Sequence, residues 1–123
     1  MKKEYFFYFL DNLKPSATVI EMSSVKPEIA IKHGNILEKR GINFLDAPVS
    51  GGTLGAENGS LAIMVGGDQN IFDKSTDVLK VMGNPTLVGG LGSGQVSKLA
   101  NQIIVGVSIG AVAEAITLSL IHI

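Results

Sequence analysis

The 123 residues predict an α/β chain, the second half of a doubly wound sheet followed by one long helix. Three observations lead there. Short β-branched or apolar runs alternate with segments of helical period, glycines punctuate the junctions, and the stretch from Gln95 onward is apolar on nearly every side.

The elements follow in order. Asn12-Leu13-Lys14-Pro15 reads as a turn, and Ala17 to Met22 as a β-branched strand ending in Ser23-Ser24. Pro27 suits a first helical turn; Ile29, His33, Ile36 and Leu37 then approximate a stripe that runs to Arg40, with Gly41 as the stop. Asn43 to Ala47 is the next strand, and a glycine-rich loop (Gly51, Gly52, Gly55, Gly59) follows it. Leu61 to Val65 is apolar throughout, as strands buried on both faces are. Asp68 caps a helix from Gln69 to Met82 whose stripe is Ile71, Phe72, Ser75, Val78, Leu79 and Met82, ended by Gly83; Pro85 to Val88 is a last short strand. Gly89-Gly90-Leu91-Gly92-Ser93-Gly94 reads as a hinge into a helix from Gln95 to about Thr117. No G-x-G-x-x-G lies between a strand and a helix near the start, so the first half of such a sheet is expected to be missing.

Ten basic against eleven acidic residues, a net charge of −1, provide no field for nucleic acid or an anionic membrane surface. The absence of cysteine removes disulfide frameworks, thiol catalysis and thiolate metal sites, and fits a reducing cytoplasm. His33 and His122 stand alone, so no metal is expected. The aromatic run Tyr5 to Leu10 is shorter than the roughly 7–15 residues of a signal peptide's apolar region, and no small-residue cleavage site follows. Gly106 and Gly110 have the spacing of a dimerising membrane span. Asn101, Gln102 and Glu114 oppose that reading, because a central carboxylate costs about 2.5–3.5 kcal/mol on insertion. A helix buried in protein, with no membrane, is the expectation.

Two clusters carry chemistry. In Asp46-Ala47-Pro48-Val49-Ser50-Gly51-Gly52 a strand runs into a serine and two glycines at its carboxyl end, where ligands of open parallel sheets bind. Paired glycines let backbone N–H groups approach a ligand and Ser50 adds a hydroxyl, a cradle for a small carboxylate; alone, Ser-Gly-Gly would be an ordinary turn. Lys98, Asn101 and Gln102 are spaced i, i+3 and i+4 and share one helix face. A lysine in the first turn meets the positive end of the helix dipole, which disfavours its charge and eases proton exchange. By itself it would be a solvated side chain; two amides beside it favour a functional cluster. Asp46 and Glu114 have no nameable partner in the sequence and are assigned structural roles.

These motifs, with Gly55-Ala56, Gly59, Ile63-Met64-Val65-Gly66-Gly67, Gly92-x-Gly94-Gln95 and Lys98-Leu-Ala-Asn101-Gln102, resemble the β-hydroxyacid dehydrogenase family from about Asn12 to Thr117. The resemblance implies an NAD(P)-dependent oxidoreductase with a Rossmann domain and an all-helical domain joined by a long helix. Residues 1–91 would then be the carboxyl-terminal part of the NAD(P)-binding domain and 92–123 the start of the helical domain. It implies Lys98 as the catalytic lysine, Ser50, Gly51 and Gly52 as the substrate-carboxylate loop, and Ser24 as a contact on the nicotinamide side of NAD or NADP. The family's substrate asparagine often lies four residues after the lysine, where this chain has Gln102 with Asn101 one place earlier, so both amides stand as candidates. Lys-x-Ala-Asn-Gln resembles the tartronate semialdehyde reductases more than the hydroxyisobutyrate enzymes, whose usual pair is Asn-Asn. A small hydroxy acid as substrate and a homo-oligomer are implied as well. Nothing resembles the family's first strands, its phosphate-binding loop or its helical substrate domain, so an internal piece of a longer protein is expected.

Overall fold

A computed structural model describes residues 10–121. The expectations for the aromatic run before Leu10 and for His122 fall, but for Leu10 itself, outside the described residues. The chain forms β1 (Thr18–Glu21), α1 (Pro27–Glu38), β2 (Asn43–Asp46), β3 (Val49–Ser50), α2 (Gly52–Glu57), β4 (Leu61–Gly67), α3 (Gln69–Met82), β5 (Gly83–Gly89) and α4 (Ser93–Ile121). Every expected strand and helix is present; β3 and α2 are additions, inside what reads in sequence as strand end and glycine loop.

The sheet is mixed. β1 pairs with β2 in parallel and β4 with β5 in parallel, but β2 and β3 both run antiparallel to β4. Leu45 lies opposite Gly67, Asp46 opposite Gly66, Val49 opposite Ile63 and Ser50 opposite Ala62, one unbroken register. β2 and β3 are therefore one strand, interrupted at Ala47-Pro48 because proline has no N–H for the ladder. Ser50-Gly51-Gly52 thus sits at the turn of a hairpin rather than at the open end of a parallel strand. Sequence alone misses this because a six-residue helix bridges the hairpin where a glycine loop was expected.

Helices cover both faces. Leu45 and Ala47 of the central strand, with Leu61, Ile63 and Val65 of β4, bury against Leu79 of α3, and Ile71, Phe72 and Met82 complete that layer. On the other face Phe44 and Ile42 bury against Leu37 of α1, with Val19 and Leu91 beside them. Burying each such Leu, Ile or Phe contributes about 1.5–3 kcal/mol, so these two layers hold the sheet. β4 alternates instead of being buried on both sides: Leu61, Ile63 and Val65 point inward while Ala62 is exposed.

The helix stripes differ in detail from the sequence pattern. In α1 the buried positions are Ala30, Gly34 and Leu37, while Ile29 stays exposed. Small residues win there because a Cβ on Gly34 would stand 3.1 Å from the Phe44 ring and closer still to Leu91. In α3 Val78 is 62% exposed, whereas Ser75 is buried, its Oγ donating to the Ile71 carbonyl at 2.8 Å. Asp68 caps α3 as expected, accepting from the N–H groups of Asn70 and Ile71, worth about 1 kcal/mol.

α4 begins two residues earlier than its apolar pattern suggests and continues to Ile121. Its outer length is apolar and exposed: Ile103, Ile104, Val107, Ile109, Val112 and Ile116 are each more than half accessible. With a mean hydropathy of 2.1 over its most apolar 18 residues, it is long and apolar enough to cross a membrane by length and composition. The expected burial is not supplied by the described residues.

Candidate functional site

The site is built around the start of α4, and a carboxylate fixes that start. Asp46 is fully buried; its Oδ1 accepts from the Gly92 N–H at 2.7 Å and its Oδ2 from the Gln95 N–H at 2.9 Å. Gly92 stands just before the helix and Gln95 in its first turn, so neither N–H has an intrahelical carbonyl to bond, and an anion at a helix amino end is favourable. The structural role assigned to Asp46 holds, and α4 is the partner that sequence could not name.

Backbone contact makes the junction close. A Cβ on Gly94 would overlap the Met64 carbonyl and lie 2.7 Å from the Asp46 carbonyl, and a Cβ on Gly66 would overlap the Asp46 carboxylate. The glycine run before α4 is therefore a docked surface rather than the free hinge expected from sequence. The helix start also alters the setting of Lys98: with α4 opening at Ser93, the lysine falls in the second turn, and Asp46 already occupies the dipole end.

Gln95 is next along the helix and is 1% exposed. Its Oε1 accepts from the Val25 N–H at 3.1 Å and its Nε2 donates to the Ser23 carbonyl at 2.8 Å. The loop after β1 is thereby tied to the helix, with Ser24 exposed between the two bonds. Beside it Glu21 accepts from Ser23 Oγ at 3.2 Å and lies within hydrogen-bond distance of His33 Nδ1 at 3.4 Å, so His33 is a half-buried helix residue with a carboxylate neighbour.

One turn further the predicted cluster divides. Ser24, Val25, Gln95, Lys98, Leu99 and Gln102 line a concavity of ≈ 260 Å³. A second, of ≈ 580 Å³, is lined by Ser50, Gly51, Gly52, Thr53, Lys98 and Gln102, among others. Lys98 and Gln102 are common to both and form the wall between the Ser24 side and the Ser50 side. Asn101 instead donates from Nδ2 to Ser50 Oγ at 3.3 Å and to Gln102 Oε1 at 3.4 Å. All the candidate residues converge, with the two amides doing different things.

The glycines of the Ser50 loop are conformationally required. Gly51 has φ +137° and Gly52 φ +62°, and nothing lies within 4 Å of where a Cβ on Gly52 would be. The backbone there faces open space, as a cradle for a small anion needs. On the other side, Ser24 is exposed on the clamped loop and lines the concavity that Lys98 also lines. Of these residues, Gln95 stands in the sequence motif Gly92-x-Gly94-Gln95 but receives no role there.

The family model for the NAD binding domain of 6-phosphogluconate dehydrogenase matches residues 3–110. The chain is 47% identical over 100 residues to 2-hydroxy-3-oxopropionate reductase of Escherichia coli (strain K12), covering 80% of this chain and 34% of that protein. Among solved structures, 3-hydroxyisobutyrate dehydrogenase of Mycobacterium tuberculosis with L-serine superposes with a TM-score of 0.88 at 33% identity, covering 94% of this chain and 40% of that one. Psf3 in complex with NADP+ and 2-OPP superposes with a TM-score of 0.85 at 27% identity, covering 90% and 39%. The chain spans about a third of the length of the curated relatives it matches.

Proposed function

Since the chain belongs to the β-hydroxyacid dehydrogenase family, whose members are NAD(P)-dependent oxidoreductases, we propose that the whole protein interconverts a small 3-hydroxy acid and its semialdehyde, with 2-hydroxy-3-oxopropionate as the favoured semialdehyde. In this proposal residues 1–91 belong to the NAD(P)-binding domain and 92–123 open the helical domain. The observation that carries it is the position of Lys98, in the wall shared by the Ser24 concavity and the Ser50 concavity.

Bound NAD or NADP supplies or accepts the hydride. The protein's own residues do the rest. The Lys98 ammonium donates a proton to the developing alkoxide during reduction, and its neutral amine takes that proton back in oxidation. Ser50, Gly51 and Gly52 hold the substrate carboxylate. Because Asn101 Nδ2 donates to Ser50 Oγ, the serine's own hydroxyl hydrogen is left to point at a carboxylate oxygen. Gln102, in the shared wall, reaches the substrate between carboxylate and reacting carbon. An amide there favours a substrate with a 2-hydroxyl over one with a methyl, since the amide would otherwise lose its partner.

Substitution of Lys98 in the whole protein tests the assignment. Lys98→Ala should lower kcat by about 10²–10⁴ while binding of reduced cofactor stays within about twofold. Lys98→Arg should not restore the rate, because guanidinium keeps its proton at working pH. Wild-type kcat in Lys98→Ala would remove the lysine from the chemistry. Higher kcat/KM for 3-hydroxyisobutyrate than for the 2-hydroxy-3-oxopropionate couple would overturn the substrate assignment.

A further inference from the structure

We propose that Gln95 is a positioning residue for the nicotinamide side of the site: by bonding the peptide groups on both sides of Ser24, its amide sets where that loop stands relative to Lys98. The inference rests on the function proposed above.

Three features carry it. First, both ends of the amide bond one segment, Oε1 accepting from the Val25 N–H and Nε2 donating to the Ser23 carbonyl, as a neighbouring strand would. The bracketed Ser24 makes no such bond and is exposed into the concavity that Lys98 lines. Second, Gln95 cannot drift, because its own N–H is held by the buried Asp46 carboxylate and the adjoining Gly94 sits directly on strand backbone. Third, Gln95, Lys98 and Gln102 lie at i, i+3 and i+7, one face of a rigid helix. One rigid element therefore fixes the spacing between Ser24 and the lysine, while Asn101 ties the same element to Ser50.

A residue acting in this way should govern cofactor affinity and leave proton transfer alone. The whole protein carrying Gln95→Ala should bind NAD(P)H about tenfold more weakly, the effect of one or two lost hydrogen bonds on an affinity. With cofactor saturating, kcat and KM for the hydroxy acid should stay within about threefold of wild type. Gln95→Glu separates positioning from general support. A protonated carboxyl reproduces the amide's donor and acceptor at the same length, whereas an ionised one faces the Ser23 carbonyl with no donor. Measured against wild type at the same pH, so that Lys26, Lys98 and the neighbouring Glu21 and His33 are common to both, the cofactor affinity of Gln95→Glu should be about tenfold weaker at alkaline pH and approach wild type as pH falls. A parallel loss of kcat and affinity at every pH would mean that Gln95 merely stabilises the fold, and would overturn the inference.

Amide hydrogen exchange at Val25 gives a measure independent of turnover. Exchange at least tenfold faster in Gln95→Ala supports the clamp; unchanged exchange refutes it. If wild type binds no nicotinamide cofactor, the dehydrogenase assignment and the cofactor-affinity role of Gln95 fail together, and the exchange result still decides the clamp itself.

Discussion

Asp46→Ala probes the junction on which the site depends. The substitution leaves the Gly92 and Gln95 N–H groups without an acceptor in a place that the Asp46 carboxylate keeps fully buried. Gly66 and Gly94 leave backbone rather than side chains around it, so collapse of neighbours cannot fill the gap. Each of the two orphaned buried donors costs about 1–2 kcal/mol, and losing the anion at the helix dipole about 0.5 more, which sums to about 2.5–4.5 kcal/mol. Asp46→Asn keeps the volume and one acceptor but turns an NH₂ toward the other donor, so it should fall between, at about 2 kcal/mol. Equilibrium urea denaturation of the whole protein without cofactor is the assay, read as a drop in midpoint with unchanged slope. The order wild type, Asn, Ala is the signature of a hydrogen-bonded cap. If Asp46→Ala lies within 0.5 kcal/mol of wild type, or Asn is the worse of the two, the Asp46 carboxylate does not hold α4 in the way described.

Other outcomes follow from the same geometry. Gly52→Ala should raise the KM of the hydroxy acid at least tenfold and lose about 1–2 kcal/mol in stability, the cost of an L residue held at φ +62°, with no clash added because the space is open; steady-state kinetics with unchanged KM would count against a carboxylate cradle. Gly51→Val is the poorer probe, because φ +137° and a Leu61 methyl 3.1 Å from the new Cβ would damage the fold first. Gln102→Ala should reduce discrimination between 2-hydroxyl and 2-methyl substrates, while Asn101→Ala should raise KM for both through Ser50; equal effects on the two substrates in Gln102→Ala would remove its specificity role. The chain of 123 residues expressed alone should self-associate through the exposed apolar face of α4, and a monodisperse monomer in sedimentation would contradict that.

Much was legible in the sequence because short-range chemistry decides it. Pro27 at the head of α1, Asp68 before α3 and the β-branched run at β1 act on backbone a few residues away, so their elements appear where the pattern puts them. Lys98, Asn101 and Gln102 share a face because helix geometry alone sets their spacing, and Ser50-Gly51-Gly52 reads as a turn because positive φ favours glycine. What tertiary structure alone decided involves partners far apart in sequence. The antiparallel pairing of β2 and β3 with β4 depends on register between strands, which local propensity does not encode. Asp46 meets its two N–H donors across 46 and 49 residues, and Gln95 meets Ser23 and Val25 across 72 and 70, so neither bond leaves a mark in any local window. Sequence named the groups that do the proposed chemistry; only the packing of α4 onto the sheet, possible because Gly66 and Gly94 have no side chains, decided how those groups face one another.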